Sequence, residues 1–274
     1  MKLTWHTLIL FLPLLASAQF YYPDDKKYGS PADFGLQYDD VTFRSSDGTE
    51  LHGWNIKTRS PEKVATIIHF HGNAQNMSSH LRGVEWLASR GFDLFLFDYR
   101  GYGRSAGKPD QDGVFDDCVA AIKQAQKLNP SEEHFIIYGQ SLGAANAIAV
   151  VGETQFTKVS GVIAEAPFYS YQSISRDKVN SLLDIFVGLV ISDRKSPHFV
   201  VQDVSPIPLL LVHGTGDRVI PISHSQKLFA KAKSPKDFWT VPYARHLGIF
   251  HEIEYQNKLV STLKGWTESA SEEP

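Results

Sequence analysis

Cysteine is almost missing from this chain: Cys118 stands alone among 274 residues. A single thiol can close no intrachain disulfide and build no cysteine zinc site. Its amphipathic surroundings, Asp116 to Leu128, mark it as a buried structural thiol. Charge of one sign is missing too. The 27 basic and 30 acidic residues leave a net charge of −3, with no block of like charge to attract DNA, RNA or an anionic lipid surface. No nucleic-acid partner is expected. The apolar run near the start, Leu8 to Ala16, falls far short of the roughly 20 residues that cross a bilayer, and Pro13 interrupts it. A stable membrane span is therefore not expected. No phosphate loop is present, and Gly101-Tyr102-Gly103 lacks the third glycine of a dinucleotide fingerprint, so no cofactor is expected. The chain has 11 histidines, yet neither a His-x-x-x-His helix nor an acidic cluster accompanies His69, His71 and His213, and no metal is expected.

What is present suits a folded domain: 42% hydrophobic, 12% aromatic and 21% charged residues supply a sizeable core. Met1-Lys2, the apolar run and Ala16-Ser17-Ala18 before Gln19 fit a secretory signal peptide over residues 1–18. That reading predicts a single exported domain over residues 19–274, periplasmic or secreted; an uncleaved membrane tether is the alternative.

Eight apolar runs read as strands: Val41 to Phe43, Leu51 to Ile56, Val64 to Phe70, Phe92 to Phe97, Phe135 to Tyr138, Val159 to Ala164, Leu209 to Val212 and Phe238 to Val241. Helical patterns lie at Ser78 to Ser89, Gly113 to Leu128, Leu142 to Val151, Ser223 to Lys231 and Ile249 to Trp266. From Val64 onward strand and helix alternate, which requires crossover connections and gives an α/β fold with a mostly parallel sheet and helices on both faces. The first two strands have only Ser46-Asp47-Gly48-Thr49 between them, so they are expected to form an antiparallel hairpin on the sheet edge. The alternation breaks at about residues 168–207, around the apolar stretch Leu182 to Ile191. This predicts a short lid insertion over the C-terminal edge of the sheet, with an ordinary packing helix as the alternative. The acidic tail Glu268 to Pro274 is expected to fray.

The chemistry is concentrated in Phe135-Ile136-Ile137-Tyr138-Gly139-Gln140-Ser141-Leu142-Gly143, a buried strand turning sharply into a helix. Such a turn strains the serine backbone. It is tolerable only where the residues two before and two after carry no side chain, hence Gly139 and Gly143. Ser141 then stands clear of the backbone, at the positive end of the helix that follows. Gly139-Gln140-Ser141-Leu142-Gly143 resembles the nucleophile elbow of the α/β-hydrolase superfamily, whose nucleophile, acid and histidine follow one another in that chain order.

The resemblance implies an eight-stranded α/β-hydrolase sheet, no cofactor, and a serine hydrolase acting through an acyl-enzyme on a small-molecule acyl substrate: an ester, thioester or small amide. Ser141 is the implied nucleophile. Asp217, in Gly214-Thr215-Gly216-Asp217 after a buried strand, is the candidate acid, with Glu165 one strand earlier as its rival and a plain turn-forming role as the alternative. His246, in the loop before the last helix, is the candidate base, because a loop histidine can turn between acid and serine; His251 is the other candidate. The oxyanion donors are expected from the Leu142 N–H and from the Asn73 N–H in Phe70-His71-Gly72-Asn73, which resembles the superfamily's His-Gly oxyanion loop. Phe97-Asp98-Tyr99-Arg100-Gly101-Tyr102-Gly103 resembles the structural turn after the next strand, with Arg100 expected in packing or an ion pair rather than on substrate. His-Gly-Asn-x-x-Asn and Asp-Tyr-Arg-Gly-x-Gly are similar to the abhydrolase branch that includes depalmitoylase-like thioesterases and the serine aminopeptidase-like bacterial homologues. The stretch Leu182 to Ile191 with Phe168, Tyr169 and Tyr171 is expected to line an acyl pocket. A non-catalytic binding protein on the same fold is the competing reading.

Overall fold

A computed structural model describes residues 20–154, 156–178 and 184–272. The expected signal peptide, residues 1–18, lies outside the described residues. Ten strands are present among them: β1 (Tyr22–Pro23), β2 (Tyr38–Arg44), β3 (Glu50–Ile56), β4 (Ala65–Phe70), β5 (Ala74–Gln75), β6 (Phe92–Phe97), β7 (Phe135–Gln140), β8 (Val159–Glu165), β9 (Leu209–Gly214) and β10 (Lys236–Val241). The helices are α1 (Met77–His80), α2 (Gln111–Leu128), α3 (Leu142–Thr154), α4 (Tyr171–Arg176), α5 (Asp184–Val190), α6 (Ser223–Lys231) and α7 (Ile253–Glu272), with short 3-10 turns between.

Eight strands form one sheet in the order β10-β9-β8-β7-β4-β6-β3-β2. From β10 to β6 the neighbours are parallel, and β3 and β2 are added antiparallel as the expected edge hairpin. Every residue of β4, β6, β7, β8 and β9 is buried, because crossover helices cover both faces. Successive residues serve opposite layers. Ile68, Ile137, Val162 and Leu211 pack with α2 and α3, while Ile67, Ile136, Ile163 and Leu210 pack with Leu259 and Leu263 of α7. Cys118 is buried in the first layer.

Three expectations need correction. The helix predicted over Ser78 to Ser89 is only α1 followed by 3-10 turns at Leu81–Gly83 and Glu85–Arg90. A glycine followed by β-branched Val84, whose φ is −130°, breaks the regular ladder. The last helix starts at Ile253 after a 3-10 turn, and it continues to Glu272 where the tail was expected to fray. The lead-in after residue 20 is structured: β1 pairs in parallel with β5 as a separate two-stranded sheet. The insertion between β8 and β9 holds α4, α5 and two 3-10 turns, with Val187 and Ile191 buried and Leu189 exposed. Among the described residues no helix is long and apolar enough to cross a membrane.

Candidate active site

The register places the ends of β4, β7, β8, β9 and β10 along one edge, where Phe70 pairs with Gly139, Gln140 with Glu165, Glu165 with Val212 and Gly214 with Val241. Ser141 follows β7 directly. Its φ is 55°, the strained left-handed conformation that the elbow requires. A Cβ on Gly139 would lie 2.3 Å from the Gly143 carbonyl oxygen, and one on Gly143 would lie 2.0 Å from that of Phe70. Both glycines are needed for β7, α3 and β4 to approach so closely. The Ser141 N–H donates to the Glu165 carbonyl at 2.8 Å, which fixes the turn to the neighbouring strand.

Asp217 and His246 meet across the next two loops. The His246 Nδ1 lies 2.7 Å from Asp217 Oδ2. Asp217 Oδ1 also accepts from the Val219 and Ile220 N–H groups, so the turn-forming role and the pairing role coexist on its two oxygens. Burial alone would raise the Asp217 carboxyl. Hydrogen bonds from His213 and His246 and the Ile220 N–H outweigh it and hold the group well below the usual carboxylate range. The acid and histidine loops are tied together by the Gly216 N–H on the Ala244 carbonyl, 3.1 Å, and the Tyr243 N–H on Thr215 Oγ1, 2.8 Å. Tyr243 and Leu247, at φ 60° and 54°, bracket His246 with two further strained residues.

The rival candidates are placed elsewhere. Glu165 is buried with Oε2 bound by the Tyr138 hydroxyl at 2.6 Å and Gln140 Nε2 at 2.9 Å, and burial raises its carboxyl. It makes no hydrogen bond to His246. His251 is exposed at the end of the 3-10 turn before α7, rather than on the helix as expected. Arg100 is paired in the protein interior with Asp117 at 2.8 Å and also with Asp47 at 2.9 Å, away from the serine. His213 Nε2 donates to the Ile220 carbonyl at 3.0 Å and stands 3.4 Å from Asp217 Oδ2, while its Nδ1 lies 2.7 Å from Ser225 Oγ. Among the described residues no group of three or more His, Cys, Asp or Glu side chains could hold a metal ion.

Ser141, Leu142 and Asn73 line one cavity of about 290 Å³. The Leu142 N–H heads α3 and so has no intrahelical partner. The Asn73 N–H belongs to the same peptide plane as the Gly72 carbonyl, which lies 2.7 Å from His71 Nδ1. That ring therefore holds the plane's orientation. It is buried, packs at a tilt against Tyr99 at 4.2 Å and stacks on His80 at 5.4 Å, and burial shifts the imidazoles of His71 and His80 down and pushes that of His69 down to about 3. The Asn73 carbonyl accepts from the Tyr22 N–H and the Tyr102 hydroxyl, each at 2.8 Å. Phe168 lines the cavity as expected, but Tyr169 turns toward His198 and Tyr171 lies behind Phe168. Of the stretch Leu182 to Ile191, residues 182–183 lie outside the described residues, and Val187 to Ile191 do not line this cavity. The walls that the sequence reading missed are Phe20, Tyr22, Ile174, Ser175, Lys178 and the pair Val219 and Ile220.

The arrangement brings Asp217 to His246, and sets Ser141, Leu142 and Asn73 on one cavity. No hydrogen bond joins His246 to Ser141 Oγ among the described residues. Both flank the sheet edge, and Val219 lines the serine cavity as well as the cleft that contains His246.

Comparison with known proteins agrees with this architecture. The family model Hydrolase_4, described as serine aminopeptidase, S33, matches residues 61–205. The chain is 39% identical over 262 residues to the uncharacterized protein YfhR of Escherichia coli O157:H7, covering 92% of this chain and 89% of that one. It is 30% identical to the α/β hydrolase domain-containing protein WAV2 of Arabidopsis thaliana, covering 82% and 74%. The esterase Pf2001 of Pyrococcus furiosus superposes with a TM-score of 0.72 at 22% identity, covering 91% of this chain and 98% of that one. At that identity the likeness speaks for the fold.

Proposed function

The chain belongs to the serine aminopeptidase, S33 family of α/β hydrolases, and from that premise we propose that it is a serine hydrolase cleaving a carboxylic ester, a thioester or a small amide. A serine hydroxyl is a poor nucleophile at neutral pH, so a base must take its proton as it attacks the substrate carbonyl. His246 takes this role and returns the proton to the leaving group, leaving an acyl group on Ser141 Oγ. Water, activated by the same imidazole, then releases the acid. Asp217 holds the imidazole by the 2.7 Å contact and offsets its transient positive charge. The Leu142 and Asn73 N–H groups receive the oxyanion, and each such donor is typically worth about 2.7–4 kcal/mol in the transition state.

The observation that carries this reading is a strained serine at the sheet edge whose neighbouring loops hold an imidazole against a buried carboxylate. The apolar lining, Phe20, Leu142, Phe168, Ile174 and Ile220, supports an acyl chain on the substrate. The non-catalytic reading draws on one observation, the missing Ser141–His246 hydrogen bond; catalytic contacts in free enzymes are often long and tighten on substrate.

One experiment decides between them. A fluorophosphonate probe is expected to label Ser141 in the wild-type chain and not in Ser141→Ala, with p-nitrophenyl ester hydrolysis lost in step. His246→Ala is expected to lower kcat by at least about a thousandfold. An unlabelled wild-type serine under native conditions rejects the hydrolase reading.

A further inference from the structure

The N-terminal strap is the part of the molecule that the catalytic reading leaves unexplained. It lies outside the main sheet, and its one strand partner is β5, in the loop that carries Asn73. The Tyr22 N–H donates to the Asn73 carbonyl at 2.8 Å, and the Asp24 N–H to the Gln75 carbonyl at 3.3 Å. Gln75 sits at φ 66°, a conformation that a glutamine does not hold by preference. The loop thus depends on what grips it from outside. The strap is itself gripped: the Gly103 N–H donates to the Asp24 carbonyl at 2.9 Å, and Asn76 Nδ2 to the Asp24 and Lys26 carbonyls at 3.2 and 2.8 Å. One turn earlier the Phe20 ring meets Tyr171 edge to face at 5.0 Å, and Tyr171 meets Phe168 at 4.8 Å. Phe20, Tyr22 and Phe168 line the cavity that contains Ser141 and Asn73.

We propose that the segment Phe20 to Pro23 is a working wall of the active site. In it the Tyr22 N–H positions the loop of the Asn73 oxyanion donor, and the Phe20 ring sets the length of acyl chain accepted. This rests on the hydrolase reading above and extends it to a segment with no motif. Tyr22 acts through Asn73 and is a positioning residue. A strap that merely anchors the chain would change stability when altered, with no effect on the balance between kcat and KM.

The test uses the full chain and p-nitrophenyl esters from acetate to octanoate. Tyr22→Pro removes the N–H, and Tyr22→Ala, which keeps it, is the reference. Relative to Tyr22→Ala, Tyr22→Pro is expected to lose about tenfold in kcat at every chain length, with KM changed less than about twofold, because a donor moved by a fraction of an ångström weakens the transition state more than the ground state. Phe20→Ala is expected to change the octanoate-to-acetate ratio of kcat/KM by at least about fivefold, since truncating the ring enlarges the apolar wall. Equal kcat in the two Tyr22 variants overturns the positioning role, and an unchanged ratio in Phe20→Ala overturns the selectivity role. Should Tyr22→Pro lose its cooperative melt, the Phe20→Ala ratio alone decides for or against the wall. A wild-type chain that hydrolyses none of these esters overturns the hydrolase reading itself, a result distinct from either failure.

Discussion

Asp98 is a buried carboxyl behind the loop that carries Asn73, accepting from the Met77 N–H at 2.7 Å and standing 3.7 Å from His71 Nε2. Burial pushes it up to about 7, against the lowering effect of the Met77 and Arg104 backbone hydrogen bonds. The folded state therefore keeps a proton that the unfolded chain gives up near its ordinary value of 3.8. Between those two values the native state binds more protons, so this carboxyl's contribution to stability is full below about 4, declines as pH rises, and is gone above about 7. Asp98→Asn does not titrate there. The difference in unfolding free energy, wild type minus Asp98→Asn, is expected to fall steadily from pH 4 to pH 7 in chemical denaturation, and a flat difference would remove Asp98 from the account. At this scale motif and chain order single out Ser141, Asp217 and His246 as candidates, and the folded chain sets Asp217 against His246. The sequence was silent on the partners of His71 and His213, the Gly72 and Ile220 carbonyls, which are backbone atoms that only the folded loops bring within reach.

Among the elements, the parallel strands were readable because each is buried on both faces and carries a continuous apolar run bounded by turns. The short helix α1 was not, since apolar spacing over Ser78 to Ser89 does not reveal that Gly83 and Val84 will divert the backbone into 3-10 turns. Nor was β1, two residues long, whose pairing depends on a loop about fifty residues later. The contact between β4 and α3 gives the sharpest prediction for an element. Gly143→Ala places a methyl 2.0 Å from the Phe70 carbonyl oxygen and 2.6 Å from that of His71, and both obstacles are backbone. Overpacking against side chains costs about 1–3 kcal/mol, and rigid backbone leaves less room to yield. The variant is expected to lose at least about 3 kcal/mol of stability or to forfeit the elbow geometry. Its thermal midpoint and its fluorophosphonate labelling, measured together, check this; a variant matching wild type in both would contradict the close approach.

Across the whole molecule, Arg100 joins parts distant in sequence. It binds Asp117 of α2 through Nε and a terminal nitrogen, Asp47 of the β2–β3 turn at 2.9 Å and Ser45 Oγ at 3.1 Å. Asp117 is fully buried, so Arg100→Ala strands a carboxylate with little besides the residue-100 N–H. Breaking such a pair costs about 3–5 kcal/mol. For a domain of this size that corresponds to a midpoint lowered by roughly 10 °C in circular dichroism melts; a fall under about 3 °C would show the pair to be dispensable. The order of assembly carries a further consequence. His246 follows β10, an edge strand and the last in chain order among the described residues, whereas Ser141 follows β7, three strands earlier. Under the proposed chemistry a polypeptide halted between the elbow and that strand holds a nucleophile without a base, so a product terminated there is chemically inert, and activity begins only once residue 246 has been added.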